Sequence, residues 1–247
     1  MALLELRGVT KTFGGVAANV DISFDVAEGE ILGLIGPNGA GKTSLFNSIS
    51  GEVMPDRGAI HLAGRQISGT GPVACALAGV ARTFQVVRSF DSMTVLENVM
   101  VGAERPGNDV AGQPSAVVER ALAALSFVGL RADANRMVGT LSYGHQRYVE
   151  IARALASSPG IVLLDEPAAG LNPTEKRELG VLLQRLKGHG LTILIVDHDM
   201  ALVEQVADHI TVLNFGRRIA DGRPADVLSH PDVIAAYLGE PRSDAAA

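Results

Sequence analysis

Short stretches of the chain alternate apolar and polar residues, and this alternation predicts strands with one exposed face. Residues 22–26, with the sequence ISFDV, show the pattern most clearly. Residues 4–9 and 217–221 are weaker candidates of the same kind. Together these three stretches predict an antiparallel portion of the fold.

Three other stretches are continuously apolar, which is typical of parallel strands covered on both faces. They are residues 31–35, 161–164 and 192–196, and a loop and a helical pattern follow each of them. The helix after Asn172 is the clearest, because Asn172 is a suitable N-cap and Pro173 occupies the first helical position. Alternation of strands and helices predicts an α/β sheet. The residues of this helix expected to face the core are Leu179, Leu182, Leu183 and Leu186.

The stretch LSYGHQ, residues 141–146, leads into a second amphipathic helix. We expect this helix to begin near residues 142–145, with Ser142 as its cap. Such a helix start offers unpaired N–H groups that suit an anion. Taken alone, however, an ordinary capped helix is the more frequent explanation. The positions expected on its core face are Tyr148, Ile151, Ala152 and Leu155.

A single large domain with an insertion is the organisation we expect. Glycine, proline and polar residues are concentrated at residues 105–115, which predicts a loop. This loop interrupts a mainly helical insertion at residues 86–158. Residues 1–85 and 159–240 then form the core of one domain spanning residues 1–240. Residues 241–247 are expected to be a flexible tail.

Composition limits the partners and the cysteine chemistry. The chain has 247 residues, 47% of them hydrophobic, and a formal net charge of -6. It can therefore bury a sizeable core, and it has no overall field that attracts nucleic acid, so we expect no nucleic-acid partner. Cys75 is the single cysteine of the sequence, which excludes an intrachain disulfide and a thiolate metal cluster.

The sequence predicts no membrane anchor. Its first residues, MALLELRGVTK, lack the apolar region of a signal peptide. The most apolar stretch, residues 72–81, is about half of the roughly 20 residues that a spanning helix needs. Any role at a membrane is therefore expected to come through a partner.

The sequence GPNGAGKT, residues 36–43, follows one predicted strand and precedes a helical pattern, as a phosphate-binding loop requires. Its glycines let successive backbone N–H groups face the phosphates. Lys42 is expected to neutralise the β and γ oxygens, and the Thr43 hydroxyl to bind Mg²⁺. ATP and Mg²⁺ are therefore the expected cofactors. The residues expected to bind nucleotide here are Gly36, Pro37, Asn38, Gly39, Ala40, Gly41, Lys42, Thr43 and Ser44.

Acidic and polar residues follow the other predicted strands, at the edge where open α/β sheets bind ligands. Asp165 suits Mg²⁺, and Glu166 is a candidate general base for the water that attacks the γ-phosphate. His198 can hydrogen-bond the γ-phosphate or that water, although a single histidine after a strand is more often structural. Gln85 follows a predicted strand at residues 80–84, where an amide can simply cap a loop.

The order and content of these motifs resemble the nucleotide-binding subunits of ABC transporters, over residues 3–240. The resemblance implies a P-loop NTPase (RecA-like) core with an antiparallel β subdomain and an inserted α-helical subdomain. In this family two subunits pack head to tail around ATP. LSYGHQ resembles the family's LSGGQ signature, with Tyr143 in place of Gly and His145 in place of Gln.

The resemblance also implies roles for individual residues. Phe13 would stack on adenine, whereas Ser142 and Gly144 would face the ATP of the partner subunit. AAGLN, residues 168–172, would be the D-loop that touches the opposite subunit. Gln85 would act as a catalytic residue beside Glu166 and His198. The implied Mg²⁺ ligands are Thr43, Gln85 and Asp165.

A narrower resemblance is carried by RTFQVVRSFDSMTVLENVMVGA and ADGRPADVLSHPDVIAAYLGE, and by the LSYG form of the signature. These stretches are similar to the ATP-binding subunits of branched-chain amino-acid importers. Membrane permease subunits are the implied partners, together with a second ATPase or a second copy of the chain and, indirectly, a solute-binding protein. The implied location is peripheral, on the cytoplasmic face of the inner membrane.

Several alternatives remain open from the sequence. ATPases of urea and lipopolysaccharide transport systems are similar, and soluble ABC ATPases act in DNA repair or on ribosomes. A GTPase is disfavoured because the sequence has no NKxD segment, and a small-molecule kinase would leave LSYGHQ and His198 without roles. A nucleotide switch without catalysis is a further class. Because Glu166 and His198 are both present, we predict hydrolysis.

Overall fold

The computed structural model describes residues 1–106 and 109–238, except for the side chain of Leu238. Two predictions fall outside these residues in whole or in part: the tail at residues 241–247, and the middle of the loop at residues 105–115. The strands are β1 (Ala2–Phe13), β2 (Val16–Ala27), β3 (Ile31–Ile35), β4 (Arg57–Leu62), β5 (Arg65–Gln66), β6 (Val80–Arg82), β7 (Ile161–Asp165), β8 (Thr192–Val196), β9 (His209–Asn214) and β10 (Arg217–Gly222). The helices are α1 (Lys42–Ile49), α2 (Pro72–Ala78), α3 (Val95–Ala103), α4 (Pro114–Phe127), α5 (Tyr143–Ala156), α6 (Pro173–Gly188), α7 (Met200–Val206), α8 (Pro224–Leu228) and α9 (Pro231–Leu238).

The strands form two sheets. Four strands make an antiparallel sheet in the order β2-β1-β4-β5, which includes the predicted strands at residues 4–9 and 22–26. The other six make a mixed sheet in the order β10-β9-β3-β8-β7-β6. The strand predicted at residues 217–221 is present as β10, but it pairs antiparallel with β9 at the edge of the larger sheet. Its assignment to the same antiparallel portion as β1 and β2 was therefore wrong.

The central strands are apolar along their whole length because both faces of the larger sheet are covered. Alternate residues sort to opposite sides. Leu32 and Leu34 of β3 pack towards the antiparallel sheet and α1, together with Leu163 of β7. Ile31 of β3 and Val162 of β7 pack on the other side, against the helices α3 to α6. The three predicted parallel strands are confirmed as β3, β7 and β8.

Both predicted helix starts are confirmed. In α6, the Asn172 side chain accepts from the N–H groups of Thr174 and Glu175 at 2.9 and 3.0 Å. The Glu175 carboxylate in turn accepts from the Asn172 N–H at 3.0 Å. In α5, the Ser142 hydroxyl accepts from the His145 N–H at 3.3 Å. The leucines of α6 predicted to face the core are buried, namely Leu179, Leu182, Leu183 and Leu186.

Helix α5 buries more of its surface than the one core face that the apolar pattern predicted. Ile151 and Ala152 are buried as expected, whereas Tyr148 and Leu155 are only partly buried against the core. Charged residues occupy buried positions of the same helix instead, since Arg147 is 0% exposed and Glu150 is 3% exposed. An apolar pattern alone could not reveal that this face carries an ion pair.

Candidate phosphate loop and catalytic cleft

The phosphate loop, residues 36–43, joins β3 to α1. It needs glycine at two positions where its backbone lies very close to neighbouring backbone. Gly36 and Gly41 have φ angles of 150° and 101°. A Cβ added to Gly36 would lie 2.1 Å from the Leu213 carbonyl oxygen, and one added to Gly41 would lie 2.1 Å from the Ala18 carbonyl oxygen. Only glycine fits such positions, because any side chain would collide with neighbouring backbone.

The side chain of Lys42 folds back into this loop. Its ammonium donates to the carbonyl oxygens of Gly36 at 2.7 Å and Pro37 at 3.0 Å, and the residue is 7% exposed. Burial lowers the pKa of Lys42, and the nearby carboxylates of Glu166 and Asp165 oppose this effect. A phosphate oxygen can therefore replace a carbonyl oxygen as the partner of an ammonium that is already in position.

Asn19 of β2 supports the loop from the antiparallel sheet. Its amide nitrogen donates to the Gly41 carbonyl at 3.1 Å, and the residue is 0% exposed. Its side-chain oxygen is buried without a hydrogen-bond partner. A buried amide in this position fixes the distance between β2 and the start of α1.

The loop opens into a cleft of about 270 Å³. The cleft is lined by Val16, Ala17 and Ala18 of β2 and also by Glu166 and His198. Phe13 lies at the adjoining end of β1 and is 48% exposed, with the Lys11 ammonium 5.3 Å from its ring centroid. The stacking of Phe13 on adenine stays a prediction.

Three predicted residues converge on the edge of this cleft. Glu166 accepts from the Gln85 amide nitrogen at 2.7 Å through one carboxylate oxygen. Its other oxygen lies 3.0 Å from Nε2 of His198. Glu166 also has a φ of 48°, a left-handed conformation that is rare for a residue with a side chain. Such strain is concentrated at functional sites, so the geometry supports a special role for this carboxylate.

Gln85 reaches this position differently from the prediction. The strand expected at residues 80–84 is shorter, since β6 ends at Arg82, and Gln85 lies beyond it in the following loop. Thr83 still bonds to the neighbouring strand through its N–H and the Leu163 carbonyl at 2.9 Å. The chain then leaves the sheet, which allows the Gln85 side chain to turn towards Glu166.

The predicted metal ligands share a second cavity. Thr43, Gln85 and Asp165 line a space of about 470 Å³, and Thr43 also borders the cleft at the phosphate loop. In the part of the chain that the structure describes, no cluster of three or more His, Cys, Asp or Glu residues could hold a metal by itself. Oxygen donors of this kind fit Mg²⁺, which binds few protein ligands and takes the rest from phosphate and water.

Arg82 was not singled out by the sequence, yet it is the closest partner of Asp165. Its guanidinium lies 2.8 Å from the Asp165 carboxylate, and the two side chains are 9% and 10% exposed. The same guanidinium donates to Asn47 at 2.7 Å and to Ser50 at 3.0 Å. An arginine within the short strand VARTF was the available signal, because a charge between apolar residues of a buried strand needs a partner.

Asp197 links the loop that carries His198 to the predicted D-loop at residues 168–172. Its carboxylate accepts from the N–H groups of Ala168 and Asp199, each at 2.9 Å, and it is 4% exposed. Burial raises the pKa of Asp197, and the hydrogen bonds to backbone N–H groups oppose that change. The loop that carries His198 is thereby fixed to the predicted D-loop at residues 168–172.

Ser142 and Gly144 lie at the N-terminus of α5, outside the cleft that holds the phosphate loop. Gly144 is buried against α6, where an added Cβ would lie 2.7 Å from Oε1 of Glu175. Tyr143, which departs from the family signature, accepts a hydrogen bond from Arg147 at 3.2 Å. The prediction that Ser142 and Gly144 face a partner's ATP stays a prediction.

Comparison with known proteins agrees with this architecture. The sequence matches the family described as ABC transporter over residues 20–169, and the family described as branched-chain amino acid ATP-binding cassette transporter over residues 217–242. The high-affinity branched-chain amino acid transport ATP-binding protein BraF of Pseudomonas aeruginosa is 44% identical, over 96% of this chain and 98% of BraF. LivG of Escherichia coli K12, which carries the same description, is 42% identical with the same coverage.

Solved structures give the same result. A nucleotide-free ATP-binding cassette from an ABC transporter has a TM-score of 0.89 and 34% identity, over 97% of this chain and all of that one. An ATP-binding cassette in its ADP conformation has a TM-score of 0.87 with the same identity and coverage. A dimeric bacterial ABC transporter cassette has a TM-score of 0.79 and 27% identity, over 90% of this chain and 98% of that one.

The two-sheet fold, the phosphate loop and these matches define the class: an ATP-binding cassette ATPase, whose ATP hydrolysis is coupled to transport. Within that class, the chain belongs to the family of ABC transporter ATP-binding proteins that includes BraF and LivG. Across residues 1–106 and 109–238, no helix has the length and apolar character needed to cross a membrane.

Proposed function

We propose that this chain is the ATP-hydrolysing subunit of an importer for branched-chain amino acids. The observation that carries the catalytic part of the proposal is the contact of one carboxylate, that of Glu166, with both Gln85 and His198 beside the phosphate loop. The match of residues 217–242 and the relatives BraF and LivG support the substrate class.

Glu166 is the proposed general base. Its carboxylate polarises the water that attacks the γ-phosphate, a role typically worth about 10²–10⁴-fold in rate. Gln85 and His198 hold the two carboxylate oxygens, which restricts the orientation of the group. The nucleotide lies along residues 36–44, with Lys42 on the β and γ oxygens and Phe13 against adenine.

Thr43, Asp165 and Gln85 are the proposed Mg²⁺ ligands, with Asp165 acting directly or through water. A magnesium ion bound there would neutralise developing charge on the β and γ phosphates. In this chain, Arg82 holds the Asp165 carboxylate at the edge of the same cavity. This contact restricts the orientation of the Asp165 carboxylate.

ATP is proposed to close a head-to-tail dimer, and hydrolysis to release it. Ser142 and Gly144 of one subunit would face the γ-phosphate bound by the other, because a helix N-terminus with unpaired N–H groups favours an anion. The dimeric cassette with a similar fold supports this arrangement. The second subunit is either a related ATPase or a second copy of this chain.

We further propose that the chain binds permease subunits from the cytoplasmic side of the inner membrane, without spanning it. A solute-binding protein would deliver the amino acid on the opposite side. The division into a core at residues 1–85 and 159–240 and a helical insertion at residues 86–158 is part of the same proposal. The helices α3, α4 and α5 pack against one another, which supports it, although their apolar cluster continues into β3, β7 and α6 of the core.

Two experiments test this function. The tagged chain, solubilised gently from membranes in the presence of ATP, should co-purify with multi-spanning permease subunits. Recovery with ribosomes or DNA, and without permease, would contradict transport.

In the purified complex, Glu166→Gln should lower kcat by about 10²–10⁴-fold while nucleotide affinity stays unchanged. Glu204→Gln on the exposed side of α7 is the control and should hydrolyse ATP normally.

A further inference from the structure

Arg147 of α5 is the largest fully buried side chain in the described part of the chain. A buried guanidinium is costly unless its N–H groups find partners. Four contacts are formed here. Two of them are within α5, to Glu150 at 2.9 Å and to the Tyr143 hydroxyl at 3.2 Å.

The other two contacts join α5 to a distant part of the sequence. Arg147 donates to the carbonyl oxygens of Phe84 and Gln85, at 2.5 and 2.7 Å. Glu150 completes the link by accepting from the Phe84 N–H at 3.2 Å. The pair therefore binds both the N–H and the C=O of one residue and the C=O of the next. We call residues 83–86 the Gln85 segment.

The Gln85 segment has little regular structure of its own to hold it. Strand β6 ends at Arg82, and the last ladder-like bond is the one from the Thr83 N–H to Leu163. Beyond that point, the backbone of Phe84 and Gln85 is bonded to the side chains of Arg147 and Glu150. The position of the Gln85 amide, 2.7 Å from Glu166, therefore depends on α5.

We propose that the Arg147–Glu150 pair is a positioning unit that fixes Gln85 against Glu166. This inference rests on the proposed roles of Gln85 and Glu166.

The chemistry of arginine explains why this position is charged. A planar guanidinium can donate to two successive carbonyl oxygens and to a carboxylate at once, whereas a lysine ammonium is a single point donor. Glu150 then balances the charge and uses its second oxygen for the Phe84 N–H. Tyr143 extends the unit towards the D-loop, because its ring lies where a Cβ on Gly170 would be only 2.9 Å away.

The main test variant is Arg147→Gln/Glu150→Gln in the full-length chain, with the transporter subunits that co-purify with it. Both charges of the pair are removed together. Arg153, 4.0 Å from Glu150, loses an ion partner but is partly exposed and keeps its hydrogen bond to the Arg88 carbonyl, so the helix is expected to stay folded. Arg177→Gln/Glu178→Gln is the matched control, since it makes the same changes at exposed positions of α6. Arg147→Lys is an independent variant that keeps the positive charge but loses the planar guanidinium, which donates to several acceptors at once.

Amide hydrogen exchange of a peptide covering residues 83–86 is the first measurement. In nucleotide-free protein, the double variant should exchange this peptide about tenfold faster than the native chain, and the control should not. Arg147→Lys should lie between them. Melting temperatures monitor folding, and equal exchange in the folded double variant and the native chain would overturn the proposal.

Kinetics give a readout that general loss of structure would not produce. With Glu166 present, the double variant should lose about tenfold in kcat while the KM for ATP stays unchanged, because the phosphate loop is untouched. Arg147→Lys should recover part of the loss. A rise in KM with normal kcat would instead indicate damage to nucleotide binding and would contradict a positioning role.

Discussion

Replacement of Arg82 by methionine should destabilise the nucleotide-free protein strongly. The guanidinium lies 2.8 Å from the Asp165 carboxylate, and both side chains are about one-tenth exposed. It also contacts Asn47 and Ser50, and its Cζ atom lies 5.3 Å from the centroid of the Phe84 ring. Methionine can fill much of this volume, but it leaves Asp165 charged and without its cation.

The expected size follows from this environment. Removing one partner of a buried ion pair typically costs about 3–5 kcal/mol. Asp165 borders a cavity through which water can reach it, which favours the lower end, about 3 kcal/mol. For a chain of this length, that loss corresponds to a decrease of roughly 6–12 °C in Tm.

Urea unfolding followed by circular dichroism would measure the loss, with calorimetry for Tm. Arg177→Met, at an exposed position of α6, should cost less than about 1 kcal/mol. The double variant Arg82→Met/Asp165→Asn should recover most of the stability, because the remaining amide carries no charge. A loss below about 1 kcal/mol for Arg82→Met, or a double variant as unstable as the single one, would refute this account.

Three further results are expected. Burial lowers the pKa of Lys42, and a bound triphosphate would raise it, so ATP binding should take up protons and should weaken as pH rises through the lowered pKa. Calorimetry between about pH 7 and 10 should show this loss of affinity, and Lys42→Arg should flatten the pH dependence. Gly41→Ala should weaken ATP binding at least about tenfold in a filter assay, since its Cβ would meet the Ala18 carbonyl, whereas Gly188→Ala meets nothing within 4 Å and should bind normally. Leu183→Ala, fully buried in α6, should cost about 2–5 kcal/mol in urea unfolding, and a cost near zero would contradict its place in the core.

The central strands and the capped helices could be predicted because each is encoded by neighbouring residues. Continuous apolar runs predicted β3, β7 and β8, and Asn172 with Pro173 predicted the start of α6. The phosphate loop was equally local, because its glycines, Lys42 and Thr43 follow one another in a single turn. In each case the physical cause, burial on both faces or an N–H group that needs a cap, acts within a few residues.

Tertiary structure decided the contacts between residues far apart in the chain. The sequence suggested Gln85, Glu166 and His198 separately, but only the adjacency of strand ends and loops brings the amide and the imidazole to opposite oxygens of one carboxylate. Arg82 likewise acquires its role only through the pairing of β6 with β7, which sets it beside Asp165. Local periodicity contains no information about which strand lies next to which.

Arg147 and Glu150 show most clearly what the sequence could not predict. Their spacing in the sequence is that of an ordinary ion pair on a helix surface, where such pairs are worth little. The fold instead buries both of them against the Gln85 segment, some sixty residues earlier in the chain. The sequence by itself determined β3, β7 and β8, the starts of α5 and α6, the phosphate loop and the family. The partners of its buried charges were decided by tertiary packing, because a charge leaves water only where a folded neighbour supplies its hydrogen bonds.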